Sequence, residues 1–221
     1  FKFPLEYDEV NFGGAKLIMD VSRDFGVNYF LQTSTAAVYG PTGNDHVTES
    51  DQVNPISPYG SSKLKAEEML NKFVLTKSIA GCSLRFFNVY GPRARTSGTY
   101  GAVFGVFLAQ KLANKPYTVV GDGTQTRDFT YVTDVIDALI KVFTKKNISG
   151  EILNVGSSKT VSVNKIITLL KGSKISIPKR PGEPEITFAD INKIKKLTNW
   201  RPKVSIKEGI QFMLKDIDNW R

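Results

Sequence analysis

Tyr59-Gly60-Ser61-Ser62-Lys63 sets a phenol and an ammonium four residues apart, just after Pro58 and at the start of a helical pattern that runs through Leu64, Met69, Leu70, Phe73 and Val74. At that spacing the two side chains share one helical face. A free phenol titrates near pH ~10, and a neighbouring cation favours the phenolate and lowers that value. The pair is therefore a candidate proton-transfer device. Alone, Tyr-x-x-x-Lys is a weak signal, because exposed Tyr and Lys are common on helices, so the flanking sequence decides. Before it, residues 28–33 read as a short buried strand, followed by a loop over 40–58 rich in Gly, Pro, Asp and Asn. After it, residues 83–88 read as a second buried strand, stopped by Tyr90-Gly91-Pro92. A helix between two buried strands argues for a mainly parallel α/β sheet.

The alternation extends in both directions. Val10, Gly14, Leu17, Ile18, Val21 and Phe25 recur at helical spacing, and Gly26 can end that helix. Residues 100–112 predict a helix despite Gly101 and Gly105, and Tyr117–Val120 a strand before the turn Gly121-Asp122-Gly123. Val135, Ile136, Leu139, Ile140 and Phe143 mark an amphipathic helix, and Ile152–Val155 a strand. Val163, Ile166, Ile167 and Leu170 mark a helix behind the cap candidates Thr160 and Ser162. Ile191, Ile194 and Leu197 precede Trp200-Arg201-Pro202, and Ile206, Ile210, Met213, Leu214 and Ile217 predict a last helix.

The 221 residues are 41% hydrophobic, enough for one large α/β domain or one and a half smaller ones. A net charge of +9 admits nucleic acid, a phosphate-bearing small ligand or a merely basic surface. The lysines are scattered and no long basic tract is interleaved with aromatics, so no nucleic-acid partner is expected. No apolar run approaches the ~18 residues of a membrane span. Cys82 is the only cysteine, which excludes an intrachain disulfide and fits a reducing, cytoplasmic setting. His46 is the only histidine, so a transition-metal site has almost no ligands to use. The opening Phe1-Lys2-Phe3-Pro4-Leu5-Glu6 has neither the apolar region of a signal peptide nor a Met, and reads as an unnatural start.

Thr33-Ser34-Thr35-Ala36-Ala37-Val38-Tyr39-Gly40 lies at the carboxyl end of the first strand, where ligands bind in open α/β sheets. A hydroxyl there can bond a substrate oxygen while Tyr59 takes its proton; the alternative for Thr35 is a turn-stabilising hydroxyl. With Leu84-Arg85-Phe86-Phe87-Asn88-Val89-Tyr90-Gly91-Pro92-Arg93, these segments resemble the extended short-chain dehydrogenase/reductase family, in particular nucleotide-sugar epimerases similar to UDP-glucose 4-epimerase. Gly121-Asp122-Gly123-Thr124-Gln125-Thr126-Arg127-Asp128-Phe129, Arg180-Pro181-Gly182-Glu183, and Ala189-Asp190 through Trp200-Arg201-Pro202 match as well, so the resemblance runs nearly end to end.

The resemblance implies the C-terminal part of a Rossmann-like doubly wound parallel sheet plus a smaller α/β substrate-binding domain. Residues 1–92 would be the remaining part of the NAD-binding domain. Residues 93–221 would be mainly the nucleotide-sugar domain, with 118–145 and the strand near 152–155 partly returning to the first. It implies NAD as cofactor, Tyr59 as acid/base, Lys63 as holder of the nicotinamide ribose that also lowers the Tyr59 pKa, and Thr35 as bridge from Tyr59 to the sugar hydroxyl. Asn11, Thr33 and Phe87 would contact the cofactor. Asn88 and Val120 would contact the substrate, Arg127 and Arg180 would clamp its diphosphate, and Glu183 would accept from the nucleotide ribose. Guanidinium forks do match phosphate oxygens. The alternatives are a surface ion pair for Arg127-Asp128, a solvated charge for Arg180 and plain core for Phe86 and Phe87. Thr187 would lie beside the sugar C2 substituent, where a small side chain leaves room for an N-acetyl group.

Related dehydratases carry Asp-Glu, and related decarboxylases usually a Glu, where this chain has Ala36-Ala37. Methyl groups cannot move protons, so the resemblance implies epimerisation at C4 of a UDP-hexose or UDP-N-acetylhexosamine through a 4-keto sugar. A nucleotide-sugar reductase, an epimerase acting at another carbon and a non-catalytic nucleotide-sugar-binding fragment are the alternatives. It also implies a homodimer through helices near 11–25 and 59–76, although their spacing equally suits packing on the chain's own sheet. No Gly-x-x-Gly-x-x-Gly occurs in the sequence. The expectation is a chain without the family's opening βαβ turns, with an unpaired strand edge, exposed apolar surface and little grip on NAD.

Overall fold

The computed structural model describes residues 4–43, 46–94, 103–179 and 184–217. The runs on either side of Tyr59 are strands β1 (Tyr29–Thr35) and β2 (Ala80–Phe86), joined by helix α3 (Pro58–Leu75). With β6 (Ile152–Val155) they form a parallel sheet in the order β1-β2-β6. Parallel neighbours need a crossover connection, and α3 supplies it. Its start is written in the sequence: Pro58 occupies the first turn, and the Ser57 side chain caps it by accepting from Gly60 N at 3.0 Å. In β1 and β2 nearly every second residue, or more, is buried, as a sheet covered on both faces requires. Cys82, Leu84, Leu153 and Val155 of this sheet join Val38, Val135, Val142 and Trp200 in one core. The Trp200 indole donates to Asp134 O at 3.0 Å, which satisfies its polar edge inside that core.

The second strand was expected to continue to residue 88. Instead the chain changes sheets. Phe87 N still donates to Val155 O at 3.1 Å, but Asn88 pairs with Phe129. Thus β3 (Asn88–Tyr90) belongs to a second sheet, β3-β5-β7, with β5 (Thr126–Tyr131) parallel to β3 and antiparallel to β7 (Thr160–Ser162). A third pair joins β4 (Tyr117–Val120) to β8 (Lys174–Ile177). Around these lie α4 (Val103–Leu112), α6 (Val163–Leu170) and α8 (Ile206–Lys215), whose Phe104, Phe107, Ile166, Leu170, Ile210 and Met213 fill a second core. The Ser205–Glu208 capping box starts α8, and Ser162 rather than Thr160 caps α6. The helix expected over 100–112 is seen as α4, and residues 100–102 lie outside the described residues.

The first helical pattern resolves into α1 (Pro4–Tyr7), a π-helical turn (Asp8–Gly13) and α2 (Gly14–Asp24), with Gly26 beyond it at φ +69°. Its apolar stripe does not pack on the chain's own sheet. Leu17, Ile18, Val21 and Phe25 are exposed, Phe25 by 84%, and only Met19 is buried. In α5 (Val132–Thr144) Val135, Ala138 and Val142 face the core, while Ile136, Ile140 and Phe143 are half exposed. Among the described residues β1 is hydrogen-bonded along one edge only. α7 (Asn192–Thr198) brings Ile194 into the first core.

Candidate active site

Tyr59 and Lys63 occupy the first turns of α3, and Thr35 ends β1. The structure sets Thr35 near Tyr59 at the carboxyl end of the sheet, with Lys63 one turn further along α3. The Thr35 hydroxyl accepts from Ala37 N at 3.2 Å and lies close enough to the Tyr59 phenol to pull its pKa down. It therefore acts both as turn-stabiliser and as partner of Tyr59. The helix can approach this closely because residue 60 is glycine: a Cβ there would lie 2.7 Å from Ala37 O. Asn11, in the π-helical turn, donates to Ser62 Oγ at 3.1 Å, and Ser62 donates to Tyr59 O at 2.9 Å. The Tyr7 ring meets that of Tyr59 edge-on, with centroids 6.1 Å apart. Single π-helical turns inside longer helices often occur at functional sites.

The electrostatics correct one expectation. Burial pushes the Tyr59 phenol above its usual value; the Thr35 hydroxyl pulls it down and the Tyr7 phenol adds to the rise. Lys63 is not among the groups that move it, so desolvation governs Tyr59 in the folded chain. Lys63 is itself held below its usual value by burial, opposed by the charge of Glu67. Its ammonium makes no hydrogen bond or ion pair with another described residue, and three donors are thereby available for ligand hydroxyls.

Asn88 and Thr187 meet in the second sheet: Thr187 Oγ1 donates to Asn88 Oδ1 at 3.0 Å and accepts from Asp128 N at 3.2 Å. Arg127 does not lie on the surface. It is 8% exposed, and its Nη1 donates to Thr126 O at 2.9 Å and Glu185 O at 3.3 Å. Asp128 is fully buried and accepts from Ser157 N and Oγ, Ser158 N and Ala189 N, at 2.6–3.1 Å, although burial still raises its pKa. Phe87 is buried beside Tyr39, with centroids 6.5 Å apart, and Thr33 is exposed on β1. Val120 is half-buried, its carbonyl receiving Gln125 Nε2 at 2.8 Å. Arg180 and Glu183 lie outside the described residues.

What the sequence reading missed is the buried neighbour of this site: Glu67, paired with Arg85. The four-residue step from Lys63 to Glu67 was the one available signal. Among the described residues no group of three or more His, Cys, Asp and Glu could hold a metal, and no helix is long and apolar enough to cross a membrane.

These are the parts of an α/β chain with a tyrosine, a lysine and a threonine near the carboxyl end of a parallel sheet. Residues 1–156 match the family model for the NAD dependent epimerase/dehydratase family. The chain is 35% identical over 210 residues to an uncharacterized UDP-glucose epimerase, YtcB, of Bacillus subtilis, covering 92% of this chain and 65% of that one. It is 35% identical over 224 residues to a putative UDP-glucose 4-epimerase of Methanocaldococcus jannaschii, covering 98% and 70%. The crystal structure of UDP-glucuronic acid 4-epimerase from Bacillus cereus, in complex with UDP-glucuronic acid and NAD, superposes with a TM-score of 0.92 at 34% identity over 100% of this chain and 71% of that one. The chain belongs to the NAD dependent epimerase/dehydratase family, and it spans about two thirds of the length of these relatives.

The residues present fit one end of that cofactor. The half-buried Lys63 ammonium, one helical turn from Tyr59 and without a hydrogen bond or ion pair among the described residues, suits ribose hydroxyls. A Gly-rich phosphate loop is not in the sequence.

Proposed function

We propose that this chain carries the acid/base half of an NAD-dependent nucleotide-sugar 4-epimerase, acting on a UDP-hexose or UDP-N-acetylhexosamine. The reading rests on Thr35 at the end of β1 beside the Tyr59 phenol, with Lys63 one turn along the same helix and Ala36-Ala37 next to Thr35. Alanines occupy positions 36 and 37, where related dehydratases carry Asp-Glu, which favours epimerisation over dehydration or decarboxylation.

Bound NAD supplies a reversible hydride acceptor. Tyr59 removes the proton from the sugar 4-hydroxyl as C4 is oxidised and returns it to the 4-keto oxygen after the sugar has turned. Thr35 donates to the phenol oxygen, which favours the phenolate. It also orients the sugar hydroxyl. Lys63 holds the nicotinamide ribose, with Asn11, Thr33 and Phe87 along the same wall. Asn88 and Val120 line the substrate side, Arg127 and Arg180 grip the diphosphate, and Glu183 accepts from the nucleotide ribose. A firm hold on the diphosphate and a loose one on the hexose let the keto sugar present either face.

Thr187 leaves room at C2, so N-acetylhexosamine nucleotides are accepted alongside plain hexoses. The exposed stripe of α2 and the neighbouring face of α3 form a homodimer contact in the complete enzyme. Residues 1–221 alone bind NAD weakly and turn over no sugar, since the phosphate loop is not among them. NMR analysis of products from the full-length protein, incubated with UDP-glucose, UDP-N-acetylglucosamine and UDP-glucuronate, tests the reading. Interconversion of C4 epimers supports it, and net reduction or inversion at another carbon overturns it. Calorimetric titration of residues 1–221 tests the weak NAD binding, which a micromolar affinity would contradict.

A further inference from the structure

Tyr59, Lys63 and Glu67 follow one another at four-residue steps along α3. Glu67 is buried, its side chain 2% exposed, and Arg85 on β2 grips it with two prongs: Nε to Oε1 at 3.0 Å and Nη2 to Oε2 at 2.7 Å. Ser34 on β1 donates to the same carboxylate. Arg85 also lies 4.7 Å from the centre of the Tyr39 ring, and the Tyr39 hydroxyl donates to Asn154 Oδ1 on β6 at 2.7 Å. One carboxylate thus ties the helix to two strands, and the contacts continue to the third. Ser34 and Arg85 are register partners, and the next residue after Ser34 is Thr35.

Stability alone does not call for this network. Desolvating a buried ion pair is expensive, and well-packed apolar residues often serve as well or better. What the pair adds is direction, because a two-pronged guanidinium–carboxylate contact tolerates little sliding. We infer that Glu67, held by Arg85 and Ser34, is a positioning residue that fixes the height and rotation of α3 against β1, and so sets Tyr59 and Lys63 against Thr35. The inference rests on the acid/base reading above. Glu67 lies about 12 Å along the helix axis from Tyr59 and acts through the helix, not on the substrate. Its charge also opposes the desolvation of Lys63.

The test uses the full-length protein with NAD. Ser34→Ala removes the tether to β1 and leaves the ion pair intact. The expected result is a kcat lowered by about tenfold, a several-fold weaker NAD affinity, an unchanged KM for the nucleotide sugar and a nearly unchanged melting temperature. A second variant, Ser34→Ala with Glu67→Met and Arg85→Met, replaces the network by apolar bulk. Retained stability with a depressed kcat supports the lock, whereas native kcat in either folded variant overturns it. If the triple variant does not fold, Ser34→Ala decides alone. If the parent binds NAD but interconverts no UDP-sugar, the functional reading has failed instead. The NAD affinity of Ser34→Ala then decides the lock: weakened supports it, unchanged overturns it.

Discussion

The Thr187 hydroxyl donates to Asn88 Oδ1 at 3.0 Å, a contact between residues 99 positions apart. Both groups belong to the substrate side of the proposed site, and Thr187 is further anchored by Asp128 N. The proposed role of Thr187 is to keep a short side chain beside the sugar C2 substituent. Thr187→Tyr in the full-length protein is expected to lower kcat/KM for UDP-N-acetylglucosamine by about tenfold or more relative to UDP-glucose. Competition kinetics with the two substrates reads this ratio, and an unchanged ratio removes Thr187 from the specificity argument.

Tyr59→Phe keeps the ring and its edge-on contact with Tyr7 but removes the transferable proton. Turnover is expected to fall by about 10²–10⁴-fold. Binding of the nucleotide sugar, followed by calorimetry, is expected to persist. Loss of both together would point to a folding role for the hydroxyl.

Gly60→Ala brings a methyl group to within 2.7 Å of Ala37 O and 3.0 Å of the Pro55 side chain. Neither can retreat easily, since one is backbone and the other a ring. The first turn of α3 must move away from Thr35, at an expected cost of about 1–3 kcal/mol in stability. Denaturant unfolding reads the stability loss, and the drop in kcat should exceed what the folded fraction explains.

Much of this was legible beforehand, for physical reasons that differ by element. Strands β1, β4 and β6 are short apolar runs with turn residues beside them, and local pattern alone finds them. Strand β5 escaped because Arg127, Asp128 and Thr130 are polar and yet buried, with Arg127 and Asp128 reaching Glu185 O and Ala189 N, which lie far away in sequence. The stripe on α2 was read correctly as apolar, but periodicity does not say what an apolar face packs against, and here it faces outward. In the candidate site, Tyr59, Lys63 and Thr35 were singled out through spacing and motif. The lift in the Tyr59 pKa was not, because burial is a property of the whole fold. The pairing of Glu67 with Arg85 was not legible either, because it depends on how α3 lies against β2.

Six tyrosines, Tyr29, Tyr39, Tyr59, Tyr90, Tyr117 and Tyr131, have their phenols raised above the usual 10.0, in each case first by burial. The folded chain keeps these protons after the unfolded chain has lost them. Above pH 10.0 the unfolded state therefore binds fewer protons, and stability falls as pH rises. Thermal unfolding between neutral pH and about pH 11 should show a melting temperature that is flat in this respect up to about 10 and then declines.

The exposed stripe of α2 gives a test of assembly. Leu17→Glu with Val21→Glu places two charges on a face that is otherwise apolar and 62% and 43% exposed at those positions. In the full-length protein the proposed homodimer is expected to give way to a monomer by analytical ultracentrifugation, and a parent that is itself monomeric would remove the proposed contact. A variant that stays dimeric would move the contact elsewhere.

The π-helical turn at Asp8–Gly13 has a consequence for how the first helix is phased. A π turn carries one residue more than an α turn, and each residue advances a helix by about 100°. Deleting a single residue from this turn would restore regular pitch and leave α2 in place. It would also swing α1 about a quarter-turn around its axis, carrying Tyr7 off the Tyr59 ring and parting Asp8 from Lys65, now 2.7 Å away. The extra residue works as a phase shifter, letting one continuous rod serve two neighbours that no uniform helix could face at once.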